Sequence, residues 1–332
     1  MCACIQCAAG ISPQFSVSDQ VSVQFRPSSI LRREVRAQGT VYVKQYLHGG
    51  YDCTEELAQA RTAREVSLLN RLATTNGFGG SLGVVRIVDS QPQRSTLVMA
   101  EVVGHCLSDI FGRSCRNHSD RECLTAVYLA GKWLREFQMV PADDQAKPIS
   151  TRDSDDIIEY CAYRIRRLRA FCCEWPSDKQ SAQAMNTLRR LVSESSNIDL
   201  ALVWTHGDYG LGNLIWDGHS LTPIDFSMAH ADHPLVDVTY FIHRMEMQRI
   251  YRPWRTWPVD RWKHAFLRGY GRSCAEDSPM YRVCMVRHLL CRLLKFIDQQ
   301  PRHQIKALHN RWIRHRIQSL LASHLGSDIQ VH

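Results

Sequence analysis

The stretch "THGDYGLGNLIWDGHSLTPIDFS", residues 205–227, decides the fold. Two short strand-like runs, "NLIWD" and "LTPIDF", flank a turn at Asp217-Gly218. His206, Asp208 and Asn213 stand just ahead of the first run, and Asp225 lies near the end of the second. Asp208 and Asn213, five residues apart, share one loop.

Phosphoryl transfer from ATP asks for such a set. The triphosphate must be held, its charge neutralised by Mg²⁺, and the acceptor hydroxyl aimed in line. Asp225 offers a carboxylate and Asn213 a carbonyl oxygen, hard ligands that Mg²⁺ accepts beside phosphate oxygens and water. Asp208 is expected to face the acceptor hydroxyl instead, to orient it and to take its proton late in transfer. The spacing equals that of the protein-kinase loop H-R-D-x-x-x-x-N, with Gly207 in place of the arginine. His206 reads as a structural histidine hydrogen-bonded under the loop. Gly207, Gly210 and Gly212 read as permissive backbone, since they follow no long strand and open no long helix. Taken alone, the string also fits a turn with a capping aspartate, so its surroundings matter.

Upstream, "QVSVQFR" (20–26) and "TVYVKQYL" (40–47) alternate or run apolar with β-branched and aromatic residues, as half-buried strands do. The stretch "PSSILRREVRAQG" between them has room for a third strand. A helix is expected over "GGYDCTEELAQARTAREVSLLNRLA", with Val66, Leu69 and Leu72 on one stripe and acids near its start. Strands "GVVRIVD" and "STLVMAEVV" complete a small sheet. Beyond Gly104 the pattern turns helical in "CLTAVYLAGKWLREFQ", "IIEYCAYRIRRLRAF", "AQAMNTLRRLV" and everything after Pro234. The expected organisation is a flexible N-terminus (1–18), an N-terminal lobe (19–103) and a larger C-terminal lobe (104–332), with a hinge near 103.

At 332 residues, 44% hydrophobic and 22% charged, the chain has the proportions of a soluble globular protein with a large core. No segment approaches the roughly 20 apolar residues of a membrane span, and no secretory signal is evident, so a cytoplasmic location is expected. Thirteen scattered cysteines fit free thiols in a reducing compartment. Cys2, Cys4 and Cys7 form C-x-C-x-x-C without a second half, which favours a frayed terminus over a metal site. The vicinal Cys172 and Cys173 read as helix packing.

"HGDYGLGN" followed by "PIDFS" resembles the aminoglycoside phosphotransferase family, small-molecule kinases with a protein-kinase-like fold. Further pieces lie in the same order. "VYVKQY" is similar to the strand carrying the phosphate-binding lysine, here Lys44, and "AREVSLLNRL" to the helix whose glutamate, Glu65, pairs with it. "LVMAEVVG" is similar to the hinge, where the backbone of Ala100 and Val102 would meet adenine and Met99 would pack behind it. The resemblance spans about residues 40–241. It implies an α+β bilobal fold, a small antiparallel sheet with one main helix ahead of a mostly helical lobe, with ATP (GTP as the alternative) and Mg²⁺ as cofactors. Each piece alone is weak, because a strand lysine or a helical glutamate is usually a solvated surface charge; their order carries the weight.

There are departures from the family pattern. His233-Pro234 stands where Asp-Pro is common, so Asp232 receives no catalytic role, while Asp237 matches an acid that would brace the catalytic loop. Gln138 stands where a histidine often closes its helix. "RPSSILRREVRAQG" has no glycine series, which leaves the phosphate clamp of the first lobe unassigned. A protein kinase is disfavoured: Gly207 removes the arginine that would hold an activation loop, and Asp225 and Asp237 stand too close together for a long activation segment.

The acceptor is expected to be a small molecule with a hydroxyl, namely a sugar, amino alcohol, glycoside or glycolipid head group. A pseudokinase-like module that binds nucleotide or a partner without turnover and an aminoglycoside-resistance kinase are the alternatives. The net charge of +8 argues against a cationic acceptor. Between Arg244 and Arg316 stand 17 Lys or Arg against 5 Asp or Glu, with Trp254, Trp257, Trp262 and Trp312 in the same span. That region reads either as helices with solvated basic faces and buried indoles, or as a surface for anionic lipid or an anionic acceptor. No nucleic-acid recognition motif accompanies the charge. Asp153, Asp155, Asp156 and Glu159 gather at a helix start, as dipole complements or as partners for a cationic acceptor.

Overall fold

Alternation along "GTVYVKQY" places Val41 and Val43 on one face of a strand and Lys44 and Tyr46 on the other. The first face packs with Val98; the second turns toward a helix. The computed structural model describes residues 21–26, 28–48, 54–117, 120–143, 146, 157–171, 176–195, 202–271, 276, 278–298 and 304–326. The Cys2, Cys4, Cys7 set, the Cys172-Cys173 pair, and Asp153, Asp155 and Asp156 lie outside the described residues.

The N-terminal part is a five-stranded antiparallel sheet of β1 (Val21–Phe25), β2 (Ser29–Arg36), β3 (Gly39–Tyr46), β4 (Ile87–Gln91) and β5 (Thr96–Ala100), in the order β1-β2-β3-β5-β4. The third strand expected after residue 26 is β2, paired residue for residue from Ser29↔Tyr46 to Arg36↔Gly39. Helix α1 (Glu55–Thr74) lies between β3 and β4. Thr54 caps it by accepting from Leu57 N–H, and Leu68, Leu69 and Leu72 are its buried stripe. The helix therefore begins later than the glycine-led stretch suggests.

The strand expected over "GVVRIVD" forms only from Ile87 onward. Its first residues leave the sheet. Gly83 N–H donates to Leu221 O, and Gly83 O accepts from Trp133 Nε1. Contact with the second lobe thus outcompetes strand pairing at that point.

The C-terminal part holds β6 (His105–Cys106), α2 (Leu107–Asn117), α3 (Asp120–Gln138), α4 (Ile157–Phe171) and α5 (Asp178–Ser195). Four short strands follow: β7 (Val203–Thr205), β8 (Leu214–Trp216), β9 (Leu221–Pro223) and β10 (His230–Asp232). Helices α6 (Leu235–Tyr251), α7 (Val259–Tyr270), α8 (Pro279–Asp298) and α9 (Gln304–Leu325) complete it. Helices α3 and α7 cross at two glycines. A Cβ on Gly131 would lie 2.0 Å from Phe266 O, and one on Gly269 would lie 1.9 Å from Tyr128 O. Neither position accepts a side chain, which brings Trp133 and Trp262 into one core with Leu69, Phe226 and Phe241.

Cys106, Cys284 and Cys291 are free thiols. No helix of the described residues is long and apolar enough to cross a membrane. The basic span does not form one face. Trp257 and Trp262 are buried, whereas Trp254 and Trp312 are exposed; Arg287 pairs inward with Asp232 and Arg249 pairs outward with Asp260.

Candidate active site

Lys44 comes from the inward face of β3, one residue pair from Tyr46, and both meet Glu65 of α1. Lys44 Nζ lies 3.1 and 2.9 Å from the two Glu65 oxygens, and Tyr46 Oη donates to the same carboxylate. Glu65 also accepts from Phe226 N–H at 2.9 Å, which ties the first lobe to the second. Both partners of this ion pair are buried. Burial works against the Lys44 charge, but Glu65, Tyr46 and Asp225 outweigh it and hold the ammonium well above its usual range. It stays a cation.

Asp225 stands just past β9 in a left-handed conformation, φ 68°, one of two non-glycine residues at positive φ among those described. Such backbone is costly and is kept where the fold over-determines it. Lys44 Nζ donates to Asp225 Oδ1 at 2.7 Å, Ser227 Oγ donates to the same oxygen at 2.7 Å, and Arg26 Nη1 donates to Oδ2 at 3.1 Å. Burial alone would raise the carboxyl; Lys44, Ser227 and Arg26 outweigh it and hold it far below the carboxylate range.

The loop ahead of β8 is fixed from three sides. Asp237, buried at the start of α6, accepts from His206 N–H at 2.5 Å and Gly207 N–H at 3.1 Å, the bracing position expected for it. His206 is fully buried; its Nε2 lies 3.1 Å from Ile224 O and its Nδ1 accepts from Asp208 N–H at 3.4 Å. One tautomer, with the proton on Nε2, satisfies both contacts, so the ring is a structural strut. Gly207 has φ 76°, and a Cβ there would stand 2.4 Å from Met228 O. An arginine at that position is excluded by backbone.

Asp208 is held at both oxygens. Tyr240 Oη of α6 donates to Oδ1 at 2.6 Å, and Asn213 Nδ2 donates to Oδ2 at 2.9 Å and to the Asp208 carbonyl at 3.0 Å. Burial, then the Asp208 charge, push the Tyr240 phenol up, which keeps it a donor. Asn213 is tied to the Asp225 segment because its carbonyl accepts from Ile224 N–H at 2.8 Å. Asn213 is thus one backbone hydrogen bond from the residue that precedes Asp225.

At the expected hinge, Met99 is buried beneath the sheet and pairs with Tyr42. Ala100 N–H donates to Arg86 O at 2.9 Å, and Val102 packs partly buried against the core. Tyr46, Arg26 and Tyr240 were not legible as site residues. Arg26 follows β1 in the segment without a glycine series and reaches across to Asp225; Tyr240 had a helical position one turn after Asp237 as its only sequence signal. Asp232 bonds Arg287 at 2.7 Å, away from these groups, and Gln138 accepts from Tyr270 and donates to Pro234 O. Only a 3₁₀ turn (Phe226–Met228) and β10 separate Asp225 from α6, with no room for a long activation segment.

The chain matches the phosphotransferase enzyme family over residues 30–284. Among solved structures it is similar to a choline/ethanolamine kinase family protein from Mesorhizobium loti, with TM-score 0.58, 12% identity, and 94% of this chain and 93% of that one covered. It is similar to an ADP-bound aminoglycoside phosphotransferase, with TM-score 0.57, 12% identity, and coverage of 91% and 94%. A putative aminoglycoside phosphotransferase from Ralstonia eutropha gives TM-score 0.59, 16% identity and 94% coverage of each chain. At these identities the likeness shows the fold, which is the bilobal protein-kinase-like one. No curated protein matches by sequence.

Proposed function

The chain belongs to the phosphotransferase enzyme family and is a small-molecule kinase, and we propose that it transfers the γ-phosphoryl group of ATP, with Mg²⁺, to a hydroxyl held at Asp208. The observation that carries this reading is the pair of donors on Asp208. Tyr240 and Asn213 each occupy one carboxylate oxygen, and each oxygen keeps a second lone pair for an acceptor hydroxyl. A carboxylate so placed can orient the hydroxyl and take its proton as the new bond forms.

In the step itself the acceptor oxygen bonds to the γ-phosphorus, the bond to the β–γ bridging oxygen breaks, ADP leaves, and the hydroxyl proton passes to Asp208. Lys44, kept charged by Glu65, would hold the phosphates. Asp225 and the side-chain oxygen of Asn213 would hold magnesium, a fit supported by their hard oxygen donors and by the Ile224–Asn213 bond that keeps them adjacent. When bound, the ion would neutralise charge on the phosphates. Adenine would meet the Ala100 carbonyl and the Val102 amide, with Met99 behind; the Ala100 amide is already taken by Arg86.

Asp208→Asn tests the assignment. Turnover with any acceptor found in an ATP-consumption screen should fall by about 10²- to 10⁴-fold, while calorimetry shows nucleotide affinity retained. A variant that keeps most of its turnover would remove Asp208 from the chemistry.

A further inference from the structure

Tyr240, Arg244, Gln248 and Tyr251 recur at i, i+4, i+8 and i+11 on α6 and so share one face. His288, Arg292 and Phe296 do the same on α8. The two faces meet. The Tyr240 and His288 rings are 5.2 Å apart, and the Tyr251 and Phe296 rings 5.7 Å apart. Arg244 and Arg292 fall between these two contacts.

Arg244 Nε, Arg292 Nε and Tyr251 Oη are buried and have no hydrogen-bond partner among the described residues. No ion pair of the described residues includes either arginine, and neither stripe carries a carboxylate. Nearby acids are engaged elsewhere: Asp232 with Arg287 at 2.7 Å, and Glu246 3.8 Å from Lys263. Both arginines perturb Tyr240, Tyr251 and His243, in keeping with their closeness. Two half-buried cations without an ion-pair partner among the described residues cost stability unless something offsets them.

The location gives the cost a purpose. A Cβ built on Gly210 would lie 3.4 Å from Tyr240 Cε1 and 3.6 Å from Arg244 Nε, so Arg244 abuts the loop two residues from Asp208. Arg244 is one helical turn, about 5.4 Å, from Tyr240, a span that one small molecule bridges. We propose that the acceptor is an alcohol that also carries an anionic group, bound by Arg244 and Arg292 while its hydroxyl meets Asp208. Planar guanidinium forks suit phosphate, sulfate and carboxylate alike. This inference rests on the kinase reading for its hydroxyl end only.

Matched pairs test it: glycerol against glycerol 3-phosphate, and glucose against glucuronate, with kanamycin as a cation. Binding is measured by calorimetry without nucleotide, and ATP consumption is measured in parallel. The anionic members should bind at least about tenfold more tightly, a difference of ~1.4 kcal/mol. That preference should disappear in Arg244→Gln and Arg292→Gln and persist in Lys44→Ala. The two anionic probes separate phosphate from carboxylate recognition. Tighter binding of kanamycin, absence of any anion preference, or loss of the preference in Lys44→Ala alone would overturn the proposal; the last would place the anion with the nucleotide. If a variant does not fold, competition on the unaltered protein takes its place: inorganic phosphate should displace the anionic probes, and failure to do so would overturn the proposal. Anion binding without any ATP consumption would count against the kinase reading and leave this site standing.

A different surface carries a second inference. Ile305, Leu308 and Trp312 stand at i, i+3 and i+7 on α9, exposed by 84%, 68% and 42%, beside Trp254 at 70%. Trp254 packs on His309, and Trp312 donates to Ile250 O, so they form one patch. Lys306, Arg311 and Arg316 rim it, and α9 has no acidic residue. Apolar anchors with two indoles inside a basic rim are complementary to an anionic lipid surface. We infer that this face docks on such a surface. Co-sedimentation with phosphatidylcholine vesicles, with and without phosphatidylserine, decides it. Binding should need phosphatidylserine, weaken with salt, and be lost in the Trp254→Ser, Trp312→Ser double variant. Failure to bind, equal binding to neutral vesicles, or an unaffected double variant would refute it.

Discussion

Replacing Asp225 separates three things that this residue does at once: it pairs with Lys44, adopts a left-handed backbone and, on the proposed function, holds magnesium. Asparagine keeps the size and tolerates the φ of 68°, so Asp225→Asn removes mainly the charge. Lys44 is not stranded, because both Glu65 contacts remain. The expected loss is the charge-assisted bond at 2.7 Å, about 1.5–3 kcal/mol, with the partly exposed Arg26 contact adding about 0–1 kcal/mol. Asp225→Ala should be a further ~1–2 kcal/mol less stable, the cost of a left-handed alanine. Urea denaturation of the three proteins at neutral pH gives these differences, and calorimetry with ATP, with and without Mg²⁺, gives the metal dependence. Both variants should bind ATP without a magnesium effect. Retained magnesium dependence in Asp225→Asn would end the ligand assignment, and equal stability of the two variants would refute the backbone argument.

Gly207→Ala should destabilise by more than the ~1–2 kcal/mol of left-handed strain, because its Cβ would meet Met228 O at 2.4 Å, and should depress turnover through the displaced Asp208; a wild-type melting curve would contradict this. Burial holds His243 well below the usual histidine range and His288 at about 3, while unfolded histidine titrates near 6.5. Below about pH 6.5 the unfolded chain therefore binds more protons, and stability should fall as pH drops, by about 1.4 kcal/mol per pH unit for each histidine. The fall should flatten for His288 only near its folded value. Denaturation midpoints for the wild type and His288→Gln across this range check it, and parallel curves would exclude the histidine as the cause.

Much of the architecture is written in local pattern. The period of two in β3 and of 3.6 in α1, α3 and α4 follows from which face each side chain must bury, and the Thr54 cap and the turn at Gly218 add punctuation. The boundaries of β4 were not legible, because Gly83 is claimed by Leu221 and Trp133 from the other lobe. No window around residue 83 contains those partners.

The site divides in the same way. The order of Lys44, Glu65, Asp208, Asn213 and Asp225 along the chain, on which the expectation of a shared task rests, is a property of the string. Their contacts are not: Glu65 meets Phe226 N–H, and Arg26 meets Asp225, across long stretches of chain. Tyr240 on Asp208, and Arg244 beside Arg292, have no signature at all, since a tyrosine or arginine on a helix is ordinary until a second helix is packed against it. Sequence determines which face of each element is apolar and which residues can do chemistry. Only the tertiary structure decides which charges are left without a partner, because desolvation and hydrogen bonding depend on neighbours that the chain brings together from far apart.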